Sequence, residues 1–178
     1  MPGSSDGAIP QASPEKPVVE ALTFILRSTA ARPQTEAEVV GRLRSRQVPE
    51  DVTDAALTRA KSLGAIDDAA FARAWVHDRG TNRGFGVARL REELRRRLVP
   101  DDLIDAALAQ LEDRDDLAVA TELARAWSSR LPLALSHEAS ARRICGYLTR
   151  RGYPLGLAEQ VAWTIGARNP NPAAQSEN

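Results

Sequence analysis

The sequence predicts an all-α protein of tandem three-helix units, about nine helices in all, elongated and with its curvature left open. Three observations predict this. Apolar residues recur at helical spacing through the interior of the chain, with no convincing alternating strand. The stretch Val48-Pro49-Glu50-Asp51-Val52-Thr53-Asp54-Ala55-Ala56-Leu57 returns 51 residues later as Val99-Pro100-Asp101-Asp102-Leu103-Ile104-Asp105-Ala106-Ala107-Leu108. A weaker third copy follows at an offset of 54, where Arg151-Gly152-Tyr153-Pro154 stands in the place of Arg97-Leu98-Val99-Pro100.

The elements follow in order. Residues 1–16 are rich in Pro, Gly and Ser and read as a disordered tail. The first repeat, 17–66, contains Thr35-x-x-Glu38, a capping box in which side chain and backbone satisfy each other's orphan groups. Val39 and Leu43 are its counterparts of Leu90 and Leu94. Asp67 and Asp68 are placed to cap the second repeat, 67–113. Within it, Gly84-Phe85-Gly86 reads as a tight turn, with glycine supplying positive φ and Phe85 covering the core edge. Val87, Leu90, Leu94 and Leu98 then form the buried stripe of an amphipathic helix. In the third repeat, 114–168, Ile144 and Leu148 take up the stripe. Phe71-Ala72-Arg73-Ala74-Trp75 is echoed there by Leu123-Ala124-Arg125-Ala126-Trp127. Pro49, Pro100 and Pro154 each follow a helix ending in Arg, which proline cannot continue, and fit the first turn of the next. Residues 169–178 read as a second disordered tail. One unit has a small core, so stacking on neighbours should contribute to stability.

Composition narrows the function classes. Of 178 residues 43% are hydrophobic but only 4% aromatic, so Ala and Leu must do most of the packing. The 24 basic and 24 acidic residues leave no global field for polyanions or membranes. Only Lys16 and Lys61 of the basic residues are not Arg. Cys145 is the single cysteine, which excludes an internal disulfide and a multi-cysteine zinc site. No apolar run approaches the roughly 20 residues of a membrane span, and no signal-peptide hydrophobic region opens the chain. The expectation is a soluble cytoplasmic protein.

Each chemical candidate has a structural alternative. The Gly84/Gly86 loop matches neither a P-loop nor a dinucleotide fingerprint. Asp101, Asp102, Asp115 and Asp116 open helices, where carboxylates complement the dipole. His77 and His137 lie in no metal pattern, Cys145 flanks a core stripe, and Trp75, Trp127 and Trp163 fall at apolar helical positions. No catalytic group survives, and no cofactor or metal site is expected.

The remaining signal is arginine. Between Arg79 and Arg97 there are seven Arg and two Glu. Helical geometry pairs Glu92 with Arg96, and Glu93 with Arg89 and Arg97. Arg83, Arg91 and Arg95 emerge as the less compensated set. In the third repeat Arg142, Arg143, Arg150 and Arg151 lie in a stretch with no acid from Ala139 to Ala158. Arg46, Arg97 and Arg151 recur in all three repeats and read as structural helix-end residues. The interaction candidates are therefore Arg79, Arg83, Arg89, Arg91, Arg95, Arg96, Arg142, Arg143, Arg150 and Arg151.

Three ordered stretches carry a family resemblance. Ile66-Asp67-Asp68-Ala69-Ala70-Phe71-Ala72-Arg73 resembles the L-D-D-x-x-F-A signature of the RecX family of RecA regulators. Arg83-Gly84-Phe85-Gly86-x-x-Arg89-Leu90-x-x-Glu93-Leu94 resembles its R-G-x-G motif, and Leu148-x-Arg150-Arg151-Gly152-Tyr153 its L-x-R-R-G-[FY]. The resemblance covers residues 18–166. Leu98 departs from it, standing where the family commonly has glycine, a change that could alter the helix end. The resemblance implies a cytoplasmic bacterial monomer that lies in the groove of RecA filaments on DNA and bridges protomers. It would thereby inhibit ATP hydrolysis, strand exchange and co-protease function, with consequences for recombination, DNA repair and the SOS response. Weak direct DNA contact would accompany this. The alternative is a DNA- or RNA-binding helical module acting through the arginine patches of the second and third repeats.

Overall fold

The computed structural model describes residues 15–167, and the two predicted tails lie outside them except for Glu15 and Lys16, which are helical. The described residues are helical with no strand. The chain divides into two compact units, one ending at Asp67 and the other beginning at Asp68.

The first unit is one three-helix repeat: α1 (Glu15–Ala31), α2 (Glu36–Arg44) and α3 (Glu50–Ser62). The capping box forms as expected. The Thr35 hydroxyl accepts from the Glu38 amide at 3.3 Å, and the Glu38 carboxylate accepts from the Thr35 amide at 3.2 Å. Val18, Ile25, Val39, Leu43, Ala56 and Leu57 build the core, so all three helices contribute to it.

The second unit holds two such repeats, each with its own core. The first comprises α4 (Asp68–Val76), α5 (Val87–Arg96) and α6 (Asp101–Leu108). A π-helical turn over His77–Asn82 continues α4, and a 3-10 turn over Ala109–Leu111 continues α6. Val76, Leu90, Leu94, Ile104 and Leu108 are buried together. The other repeat comprises α7 (Asp116–Ser128), α8 (His137–Arg150) and α9 (Leu155–Gly166) around Ala120, Ala124, Ile144, Leu148 and Val161. Asp115 caps α7 by accepting from the Ala118 amide at 2.9 Å.

The predicted α5 stripe is corrected at both ends. Leu90 and Leu94 are fully buried, but Val87 and Leu98 are exposed. Val87 is the first residue of the helix. Leu98 lies beyond its C-cap at φ 57°, where the turned backbone carries the side chain off the stripe.

That turn is the shared device of the three repeats. Gln47 (φ 58°), Leu98 (φ 57°) and Gly152 (φ 92°) occupy one left-handed position after α2, α5 and α8. Each turn closes with two backbone bonds. The amides of Leu98 and Val99 donate to the carbonyls of Arg95 and Leu94. Gln47–Val48 and Gly152–Tyr153 repeat the pattern, which is that of a Schellman motif. The departure at Leu98 therefore leaves the helix end intact. A non-glycine residue simply adopts the conformation glycine adopts freely. Pro49, Pro100 and Pro154 follow as N-cap residues of α3, α6 and α9, one position earlier than the first turn expected for them.

Candidate interaction surface

The recurrent helix-end arginines stack on aromatic rings. The Arg46 guanidinium lies 4.1 Å from the Phe24 ring centre, and Arg97 lies 4.8 Å from Phe71 and 5.0 Å from Trp75. Arg151 lies 4.7 Å from Phe85 and 5.4 Å from Tyr147. The sequence places Arg at a helix end for its charge; the structure adds a flat cation covering the edge of each small core.

The two glycine motifs interlock. The Gly86 amide donates to the Arg151 carbonyl at 2.8 Å, and the buried Tyr153 hydroxyl donates to the Gly84 carbonyl at 2.9 Å. The Arg151 guanidinium donates to the Arg83 carbonyl, and Arg89 reciprocates to the Arg150 carbonyl at 3.1 Å. Arg89 and Arg151 both stack on Phe85. At the centre the backbones touch. A Cβ on Gly86 would lie 2.3 Å from the Gly152 carbonyl oxygen, and one on Gly152 would lie 2.5 Å from the Arg89 amide nitrogen. Gly84 has φ 63°, the conformation expected of the turn, but Gly86 does not. Gly86 is there for close approach, a role its own repeat could not reveal. Burial pushes the Tyr153 hydroxyl above its ordinary pKa, against the opposing charge of Arg114.

Arg114 braces the same joint. Its side chain is only 12% exposed and ion-pairs with Asp116 at 2.7 Å. It also donates to the carbonyls of Gly80 at 2.8 Å and Phe85 at 3.0 Å. These two carbonyls lie 34 and 29 residues earlier in the chain, where helical spacing cannot connect them to Arg114.

The ten candidate arginines therefore differ in company. Glu93, largely buried, accepts from Arg79 at 3.1 Å, Arg89 at 2.9 Å and Trp75 at 3.2 Å. Arg96 pairs with Glu92 at 2.9 Å. The expected less compensated set is corrected: Arg83 pairs with Asp78 at 3.0 Å, Arg91 with Asp105 at 2.5 Å, and Arg95 with Asp101 at 2.8 Å. The two α6 acids come from a different helix, so spacing within α5 could not show them. The Arg95 hydrogen bond lowers the Asp101 pKa, and the same bond raises that of Arg95. Arg151 belongs to the joint.

Arg142, Arg143 and Arg150 behave differently. All three are exposed on α8, and no carboxylate pairs with them among the described residues. They line an open groove of about 500 Å³ with Trp127, Leu131 and Gly146. Trp127 stacks on Tyr147 with ring centres 4.9 Å apart and planes 8° from parallel. Trp163, expected in the core, is instead 59% exposed on α9, its ring 4.2 Å from that of His137. Cys145 packs partly against the third core, and burial, with Glu159 adding to it, pushes its thiol pKa up. The described residues hold no cluster of three His, Cys, Asp or Glu side chains able to bind a metal. No helix among them is long and apolar enough to cross a membrane.

These features define a tandem three-helix repeat protein whose chemistry-bearing surface is made of guanidinium groups and aromatic rings. A family model for the second three-helix domain of RecX matches residues 67–108. A regulatory protein RecX of Streptomyces lividans is 34% identical over 167 residues, covering 90% of this chain and 88% of its own. One from Thermobifida fusca is 38% identical over 152 residues, covering 84% and 80%. The crystal structure of RecX from Lactobacillus salivarius superposes with a TM-score of 0.73 at 18% identity, over 86% of this chain and 99% of that one. At that identity the superposition speaks for the fold. The chain belongs to the RecX family of regulatory proteins.

Proposed function

We propose that this protein binds RecA filaments on DNA and inhibits the ATP hydrolysis, strand exchange and co-protease function of RecA. The observation that supports it is the match to regulatory proteins named RecX along most of the chain, with all three motifs in order. On this reading the protein acts as a monomer in the cytoplasm, without a cofactor. The interlocked motifs then have a mechanical part: they hold two repeats as one platform, so a contact made by α8 is presented at fixed geometry.

Of the ten candidate arginines, we assign the first filament contacts to Arg142, Arg143 and Arg150. A guanidinium already paired with a carboxylate must release it before it meets a new partner. The α8 set has no such pair to break, and a nucleoprotein filament offers both carboxylates and phosphates. Titrating the protein into RecA on single-stranded DNA should lower the rate of ATP hydrolysis at substoichiometric amounts. An unchanged rate at equimolar protein contradicts the proposal.

A further inference from the structure

The groove beside α8 combines two chemistries rarely placed together without a ligand to match. Its cationic wall comes from Arg142, Arg143 and Arg150, and its aromatic wall from Trp127. No carboxylate lines it. Arg142 also borders a second groove, on the α9 side of α8, with Glu138, Glu159 and Trp163, and Arg150 borders a third with Glu92 and Glu93, but neither arginine forms an ion pair there. Arg143 borders the Trp127 groove alone, and among the described residues no carboxylate ion-pairs with any of the three cations.

We infer that this groove is a subsite for single-stranded nucleic acid, with phosphates on Arg142, Arg143 and Arg150 and a base against the Trp127 indole. The inference rests on the proposed filament contact at α8 and adds to it the chemical class of the ligand and its independence of RecA. Guanidinium groups bind phosphate oxygens through paired N–H donors. An aromatic wall favours a strand whose bases are unstacked, since a duplex keeps its π faces inside. The open groove of about 500 Å³ has room for a nucleotide and part of the next. The Arg150 side chain lies back along α8, its Nη1 3.2 Å from where a Cβ at Gly146 would stand. Trp127 is held in place by its stack on Tyr147, so the wall does not have to be ordered on binding.

The contrast with α5 gives the control. Arg91 and Arg95 also sit two helical turns or less from one another on an exposed face, but α6 carboxylates occupy both. Removing them deletes the same two charges from the protein without touching the groove.

The test is binding of a fluorescein-labelled oligothymidylate to the full chain without RecA, followed by anisotropy from about 50 mM salt upward. Three phosphate contacts predict a slope of log affinity against log salt near −2, about −0.7 for each phosphate on a single strand. Arg142→Gln with Arg150→Gln should weaken binding by roughly tenfold or more and flatten the slope by about 1.4. Arg91→Gln with Arg95→Gln should leave both nearly unchanged. In a Trp75→Phe/Trp163→Phe chain, where Trp127 is the sole indole, the oligothymidylate should quench the fluorescence. A matched duplex should compete poorly. The inference is overturned by no binding to the full chain, by equal loss in the α5 variant, by absent quenching, or by a duplex that competes as well as the single strand. If ATP hydrolysis by RecA still falls in any of those cases, the filament reading survives alone. If the oligothymidylate binds as described but RecA is unaffected, the subsite survives and the filament reading fails.

Discussion

Helices α5 and α8 hold equivalent places in neighbouring repeats, and both are rich in arginine, yet their arginines do different work. On α5 the cations are absorbed: Glu93 gathers Arg89 together with Arg79, and Asp105 and Asp101 take Arg91 and Arg95. On α8 three arginines remain without a carboxylate beside a groove walled by Trp127. The difference is supplied by the helix that follows. The α6 sequence opens Asp101-Asp102-Leu103-Ile104-Asp105, whereas α9 opens Leu155-Gly156-Leu157-Ala158-Glu159. A basic run in a sequence is therefore a binding surface only after the acids of the neighbouring helices have been counted.

The joint between the repeats of α5 and α8 is the most sensitive point. Gly152→Ala should have the largest effect, because the new methyl group meets the Arg89 backbone and the residue must keep φ 92°. A loss of about 3 kcal/mol or more is expected, read as the shift in the denaturant midpoint. A midpoint within error of the wild type would show that the two backbones do not touch. Arg114→Ala comes next. It removes two hydrogen bonds from buried carbonyl neighbours and the Asp116 pair, costing about 2–3 kcal/mol. Arg114→Lys should recover little, since an ammonium lacks the fork that reaches both carbonyls. Full rescue by lysine would reduce Arg114 to a simple charge.

The smallest change has the opposite sign. Leu98→Gly relieves a left-handed residue that is 66% exposed and packs against little. The flexible glycine costs unfolded-state entropy, so the net gain is about 0.5–1 kcal/mol. A destabilised variant would mean that Leu98 holds contacts that outweigh its backbone conformation.

Much of the fold was legible in the sequence because each repeat is built from local signals. Capping at Thr35 and Asp115, helix stops before Pro49, Pro100 and Pro154, and apolar spacing at Leu90 and Leu94 all act within one or two helices. The turn at Leu98 was misread as part of the buried stripe, because only one of the three left-handed positions carries glycine. The candidate surface was legible in part. Arg142, Arg143 and Arg150 stood out through the absence of acids nearby in sequence; the fold brings Glu138 and Glu159 to a groove with Arg142, and Glu92 and Glu93 to one with Arg150, but closes no ion pair on them. Arg91 and Arg95 stood out for the same reason and were compensated from α6, a contact that helical spacing cannot foresee. Gly86 and Arg114 were missed because their partners, Gly152 on one side and the Gly80 and Phe85 carbonyls on the other, lie more than a helix away along the chain. Trp163 was misplaced because apolar spacing in α9 does not distinguish the core face from the rim.

On the proposed function α8, and not α5, meets the partner. Inhibition of RecA ATP hydrolysis by two folded double variants tests it most directly. Arg142→Gln with Arg150→Gln should raise the concentration needed for half-inhibition by roughly tenfold or more, the loss of two charge-assisted contacts. Arg91→Gln with Arg95→Gln should inhibit as the unaltered protein does. Loss of inhibition in the α5 variant with the α8 variant unimpaired would contradict the claim.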